Sequence, residues 1–94
     1  MDKKEALQIL EPELAKYREK PYEELVALIG RDVPTEHRHG PSGVEYQIGI
    51  VAHWDDKPGG DVRLIGSVDD GGIRAYFPLT DSFIKAPDNS FVGE

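Results

Sequence analysis

The sequence contains no cysteine among its 94 residues and only one tryptophan. Without cysteine the chain has no disulfide scaffold, no thiolate ligand for zinc or iron–sulfur clusters and no thiol nucleophile. Long hydrophobic runs are also missing, because the longest run, residues 25–29, is far shorter than the ~20 residues of a membrane-spanning helix. The charged N-terminus has no signal-peptide pattern. The sequence therefore predicts a cytoplasmic protein.

Basic residues are scarce relative to acidic ones. The chain has 11 Lys and Arg against 18 Asp and Glu, which gives a formal net charge of −7. Nucleic acids and anionic membranes are bound by clustered basic side chains, so the charge disfavours both as partners. It favours a basic protein partner, because net charge steers association. The length predicts a single domain over residues 1–94.

The first third of the chain has helical periodicity. Apolar residues recur there at spacings of three and four: Leu7, Leu10, Leu14 and Tyr17. This stripe predicts a helix over about 2–19, kinked near Pro12, which cannot donate a helical hydrogen bond. A second helix is predicted over 21–29, with Pro21 in its favoured first-turn position.

The remainder of the chain has the periodicity of strands. Residues 31–43 contain two prolines and two glycines, which predicts a long loop. Apolar alternation then predicts strands at about 44–54, 61–69 and 72–77. A two-residue turn at Asp70-Gly71 would join the last two strands and place Leu64 opposite Phe77 and Ile65 opposite Tyr76.

These elements predict a two-layer α+β domain. The N-terminal helices would pack on one face of a three-stranded antiparallel meander, and the C-terminal segment would fold back on the sheet. Alternation leaves an apolar strip with a neighbouring histidine on the face away from the helices: Val51, His53, Ile65 and Tyr76. Two explanations stay open for this strip: it is covered by Phe83, Ile84, Phe91 and Val92, or it binds a partner or a second copy.

The histidines offer a metal-site hypothesis. His37 and His39 alternate in the long loop, and in an extended backbone alternate side chains point the same way, so both could bind one ion. A third ligand could come from Glu36, His53 or Asp55. The plain alternative is solvated loop histidines, with the aspartates of the first hairpin acting as turn residues. The pattern specifies no cofactor.

No catalytic motif is present. The serines lie outside a Gly-x-Ser-x-Gly elbow, and the glycine pairs lack the lysine of a phosphate-binding loop. Three segments, GSVDDGGIRA (66–75), PLTDSFI (78–84) and FVGE (91–94), resemble a group of small bacterial proteins to which no activity is assigned. The resemblance implies a bacterial, cytoplasmic, single-domain protein and no particular chemistry.

Two functions follow as expectations. The first is a non-catalytic protein-interaction or regulatory module that binds through the outer sheet face or the 31–43 loop. The alternative is a small ligand- or metal-binding domain, or an enzyme, centred on the histidines and the first-hairpin aspartates. An exposed apolar strip favours the first, whereas a convergence of His37, His39, His53 and Asp55 would favour the second.

Overall fold

The computed structural model describes residues 2–71 and 78–94. In that part of the chain the strands form an antiparallel sheet in the order β1-β2-β3-β4. The predicted α+β class is confirmed. The described elements are α1 (Lys3–Arg18), α2 (Tyr22–Leu28), β1 (Glu36–His39), β2 (Glu45–Trp54), β3 (Val62–Asp69) and β4 (Leu79–Lys85).

Helix α1 continues through Pro12. The Asp2 carboxylate caps the first turn by accepting hydrogen bonds from the backbone N–H groups of Lys4 and Glu5, at 3.0 and 3.2 Å. The buried stripe stays in phase on both sides of the proline. Because that stripe packs on the sheet, tertiary contacts support the helix where Pro12 removes one backbone hydrogen bond.

Helix α2 is one residue shorter at each end than predicted. Its buried residue is Leu25, and Tyr22 ties its first turn to two distant parts of the chain. The Tyr22 hydroxyl donates to the Gly60 carbonyl at 2.7 Å, and its backbone N–H donates to the Asn89 side chain at 2.8 Å. The short helix is therefore held by its neighbours rather than by its own length.

The core lies between the helices and one face of the sheet. Burial alternates strictly along β3, as expected for a strand with one packed face. At Gly66 the helix approaches so closely that a Cβ atom would lie 2.8 Å from Leu14 and 2.9 Å from Leu10. The buried apolar residues are Ala6, Leu10, Leu14, Leu25, Tyr46, Ile48, Ala52, Val62, Leu64, Val68 and Phe83.

The prediction that residues 31–43 form a loop throughout is wrong, because Glu36–His39 form strand β1. Arg38 pairs with Tyr46 in β2, and its guanidinium reaches the buried Glu13 carboxylate at 2.9 Å. The hairpin closes through a hydrogen bond from Gly40 N–H to the Val44 carbonyl at 2.9 Å. A short strand of polar residues has no apolar alternation, so its pairing with β2 could not be read from the pattern.

The prediction that β3 pairs with a strand over residues 72–77 is also wrong. Leu64 pairs with Phe83 and Ile65 with Ser82, where the sequence had suggested Phe77 and Tyr76. Among the residues that the structure describes, the sheet is therefore a four-stranded meander rather than a three-stranded one. The predicted strand 72–77 lies outside the described residues. The Asp-Gly turn signal predicted the wrong pairing, because β3 pairs with β4, which begins at Leu79.

The C-terminal segment packs on the helix side of the sheet. Residues 86–94 turn at Asn89, and Val92 N–H donates to the Ile84 carbonyl at 2.9 Å. The Phe91 ring meets the Phe83 ring edge-on, with centroids 5.8 Å apart. The expectation that Phe83 and Phe91 cover the opposite face is therefore wrong, because both belong to or pack against the core.

Candidate functional site

The strongest candidate site is the sheet face opposite the helices. We call this surface the outer face. It is formed by alternate residues of β2, β3 and β4, and strand pairing sets them side by side. The outer-face residues are Gln47, Gly49, Val51, His53, Arg63, Ile65, Ser67, Asp69, Thr80, Ser82 and Ile84.

A ridge and a depression lie next to each other at its centre. Val51 and Ile65 are paired across β2 and β3, and Val51 is 49% exposed. The next outer-face pair is Gly49 and Ser67, where a Cβ atom on Gly49 would lie 2.9 Å from the Ser67 hydroxyl oxygen. Two branched apolar side chains therefore stand beside two positions with little or no side chain.

The depression opens into a groove of about 310 Å³. Ile50 and the two central pairs form its floor and one wall. The other wall is the chain that enters β1, and its lining residues are Arg31, Asp32, Val33 and Thr35. The two surfaces that the sequence offered as separate alternatives, the outer face and the 31–43 segment, thus form one continuous surface.

The predicted binding residues are partly brought together. Val51 and Ile65 are direct neighbours, and His53 follows on the same face, paired with Arg63. One ring nitrogen of His53 lies 3.2 Å from the Trp54 carbonyl oxygen. Tyr76 lies outside the described residues, and the position across from Ile65 on β4 belongs to Ser82.

Opposite charges mark the two ends of β3 on the outer face. Arg63 donates through Nε to Asp55 at 2.8 Å and through Nη1 to Ser82 at 3.2 Å. At the other end, one carboxylate oxygen of Asp69 accepts a hydrogen bond from Gly71 N–H at 2.8 Å. Arg63 and Asp69 were not among the predicted binding residues of this face, although the alternation that places Ile65 there also places both of them there.

The proposed metal ligands are not brought together. His37 pairs with Gln47, and His53 lies six residues further along β2, about 20 Å away at ~3.3 Å per residue. Asp55 is occupied by Arg63. Within residues 2–71 and 78–94, no group of three or more His, Asp or Glu side chains is arranged to hold a metal ion.

The carboxylate that both histidines of β1 do meet is Glu45. His37 Nδ1 lies 3.1 Å from one of its oxygens and His39 Nε2 lies 3.8 Å from the other. Glu45 was not among the predicted third ligands, which were Glu36, His53 and Asp55, because the hairpin register that sets Glu45 beside His39 was not predicted. Glu36 pairs with Arg38.

A second polar cluster joins the β1–β2 hairpin to helix α1. Ser42 and Tyr46 both donate their hydroxyl protons to the same oxygen of Glu5, at 2.7 and 2.9 Å. Burial of the phenol, with its hydrogen bond to Glu5, raises the pKa of Tyr46 to about 12. A Cβ atom on Gly40 would lie 2.2 Å from the same oxygen. The cluster is therefore a tightly packed anchor for the hairpin turn.

A smaller cavity of about 120 Å³ lies between α1 and β4. Its volume is below the roughly 300–1,000 Å³ of typical ligand pockets. Arg18 at its edge is stacked on Phe91, 4.1 Å from the ring centroid, and is bidentate to Glu94. These contacts occupy the guanidinium and fasten the C-terminal residues to α1.

Neither helix of the described chain is long and apolar enough to cross a membrane. Comparisons with protein-family models, with curated proteins and with solved structures found no match. Only the site itself therefore supports a function, and its distinctive feature is the apolar ridge at the centre of the outer face.

Proposed function

We propose that this protein is a non-catalytic protein-interaction module that binds a protein through the outer face. The observation that carries the proposal is the Val51–Ile65 pair, which presents branched apolar side chains beside an open groove. Exposed apolar side chains beside a surface depression favour a protein interface, since binding removes them from water.

The sheet is a suitable platform for such a surface. β2 and β3 are paired over eight residues on each strand, and the opposite face of both strands is packed against the helices. The backbone around Val51 and Ile65 is therefore already ordered. Binding to an ordered surface costs less conformational entropy than binding to a loop that must first become ordered.

Charge supports a protein rather than a nucleic acid as partner. The formal net charge of −7 repels a polyanion, and nucleic-acid binding needs clustered basic side chains. Arg63, the basic residue among the outer-face positions of β2–β4, is paired with Asp55. The proposal retains the bacterial, cytoplasmic setting that the sequence suggests.

Photo-crosslinking tests this proposal. A benzophenone amino acid is placed at Thr80, which is exposed on the outer face, and in a separate variant at Glu23, which is exposed on α2. We expect a crosslinked protein product from position 80 in the cells that make the protein, and none of the same mass from position 23. A second copy would be recognised by a product of twice the chain mass.

The crosslinking experiment is repeated with a substitution in the Val51–Ile65 ridge. Val51→Ser should reduce the crosslinking yield from position 80 at least about fivefold, because it removes the apolar anchor. Val44→Ser makes the same change at a similarly exposed valine, which directly precedes the first residue of β2. It should leave the crosslinking yield unchanged. Absence of any product from position 80, or a yield insensitive to Val51→Ser, would refute the proposed function.

A further inference from the structure

We propose that the outer face binds a second copy of this chain, packed face to face about a twofold axis. This inference rests on the proposed function, because it names the occupant of the same surface. The axis lies across the strands along Ile50, Gly66 and Asp81, which are paired with one another in the sheet. About this line, the central pairs of the outer face are complementary to themselves in shape, and the end residues of β3 are complementary in charge.

The central pairs of the outer face are complementary to themselves in shape. On β2, Val51 and Gly49 lie one residue to either side of Ile50. On β3, Ile65 and Ser67 lie one residue to either side of Gly66. A twofold rotation therefore places the Val51–Ile65 ridge of each copy over the Gly49–Ser67 depression of the other. An interface between identical surfaces requires this kind of self-complementarity.

The charged residues at the two ends of β3 are complementary in the same way. Arg63 and Asp69 lie three residues to either side of Gly66, so the same rotation sets Arg63 of each copy opposite Asp69 of the other. Both groups keep bonding capacity, since the contacts of Arg63 use Nε and Nη1 and that of Asp69 uses one oxygen. Two symmetric ion pairs would flank the apolar centre.

The small area of the outer face predicts a weak dimer. The three strands of the outer face, about 4.8 Å apart, and seven residues of about 3.3 Å each give a footprint of roughly 330 Å² per copy. That is less than half of the ~800 Å² that each partner contributes to a standard interface. The charge of −7 on each copy adds repulsion, which is largely screened beyond about 8 Å at physiological salt.

Sedimentation velocity of the purified chain tests the inference directly. We expect a shift from monomer to dimer between about 10 µM and about 1 mM at physiological salt, the range of a weak interface. Val51→Ser should raise the dissociation constant at least about tenfold, because each dimer loses two ridge valines. Val44→Ser is the matched control and should sediment as the unaltered chain does.

A charge-reversal experiment identifies the geometry. Arg63→Asp and Asp69→Arg should each abolish self-association, since like charges then face each other across the axis. Mixing the two variants should restore a dimer, because both carboxylates of the Arg63→Asp chain then face guanidinium groups of the Asp69→Arg chain. Urea unfolding of each variant at low concentration establishes that it is folded.

The outcomes separate this inference from the proposed function. A chain that stays monomeric throughout, or a dimer that ignores Val51→Ser and the charge reversals, overturns the inference. If position 80 then still crosslinks to a different protein in a Val51-dependent way, the interaction module stands with another partner. If neither dimer nor crosslink forms, both proposals fall.

Discussion

The ammonium nitrogen of Lys85 lies 2.8 Å from the backbone carbonyl oxygen of Arg18 and donates a hydrogen bond to it. A second hydrogen bond, of 2.7 Å, goes to the carbonyl of Lys20. Lys85 is only 4% exposed, and burial, together with the nearby charge of Arg18, lowers its pKa. The carbonyls at the C-terminal end of a helix carry its negative pole, so β4 supplies the cation that caps α1.

Replacement of Lys85 should therefore be costly. Lys85→Met keeps much of the side-chain volume but leaves two carbonyls without their charged donor, and we expect a loss of about 2–4 kcal/mol in the free energy of unfolding. Urea unfolding at neutral pH measures it. Lys57→Met, at an exposed turn, should change the same quantity little. Equal effects of the two substitutions would show that Lys85 is not a structural cap.

Glu13 should make stability sensitive to acid. Burial by itself would raise the pKa of Glu13, but hydrogen bonds from Lys16 and Arg38 and their charges outweigh it and lower the pKa below its ordinary 4.5. The folded state therefore holds this proton less tightly than the unfolded chain does. The stabilising contribution is present above about pH 4.5 and is lost as the pH falls through the lowered pKa.

Glu13→Gln is the corresponding test. At neutral pH it should lower the free energy of unfolding by about 1–2 kcal/mol, because neutral hydrogen bonds replace charged ones. The difference between variant and unaltered chain should shrink as the pH is lowered towards 3. Glu11→Gln, an exposed change on the same helix, serves as the control. If the difference in the free energy of unfolding did not change with pH, the stabilising role of the ionised Glu13 carboxylate would be contradicted.

Two glycines on opposite faces of the sheet should respond differently to alanine. Gly66→Ala should destabilise the protein by about 1–3 kcal/mol, since its methyl group would overlap Leu14 and Leu10 in the core. In Gly49→Ala the new methyl group would meet only the Ser67 hydroxyl, which can rotate away. The free energy of unfolding should therefore change by close to zero. Thermal unfolding at low micromolar concentration compares them, and a loss of similar size at both positions would argue against the close helix contact.

Metal ions should not stabilise the chain. Because His37 and His53 lie far apart along β2 and Asp55 is paired with Arg63, zinc, manganese and calcium should leave the melting temperature unchanged. A ligand that binds the folded state raises that temperature in proportion to the logarithm of its concentration over the dissociation constant. If zinc did raise it, and His39→Ala removed the effect, the metal hypothesis would be restored around His39 and Glu45.

Most elements were predictable because their signal is local. The stripe through Leu10 and Leu14 repeats with the helical period and passes Pro12 in phase, which predicted a single helix, kinked near Pro12, in the place of α1. The alternation around Ile48 and Leu64 predicted β2, β3 and their packed face. Such periods depend only on which residues must leave water together, so the sequence carries them without reference to other parts of the chain.

The wrong predictions concern strands whose position is determined by pairing with residues far away in the sequence. Strand β1 is a run of polar residues that becomes a strand only because β2 offers it a partner. The Asp70-Gly71 signal predicted a tight hairpin, yet β3 pairs with β4, where Phe83 enters the core. Both registers place a phenylalanine opposite Leu64, Phe77 in the predicted one and Phe83 in the observed one, so alternation could not distinguish them and the register depended on contacts between distant residues.

The sequence by itself determined the acidic surplus, the two periodic regions and the placement of Val51 and Ile65 on one face, since alternation of side chains is a property of the extended backbone. Only the tertiary structure decided that the segment before β1 walls the groove, that Lys85 caps α1 and that Arg63 and Asp69 lie at equal distances from Gly66 beside a ridge and a depression. Those features depend on strand register and helix placement, which are set by the packing of residues far apart in the chain.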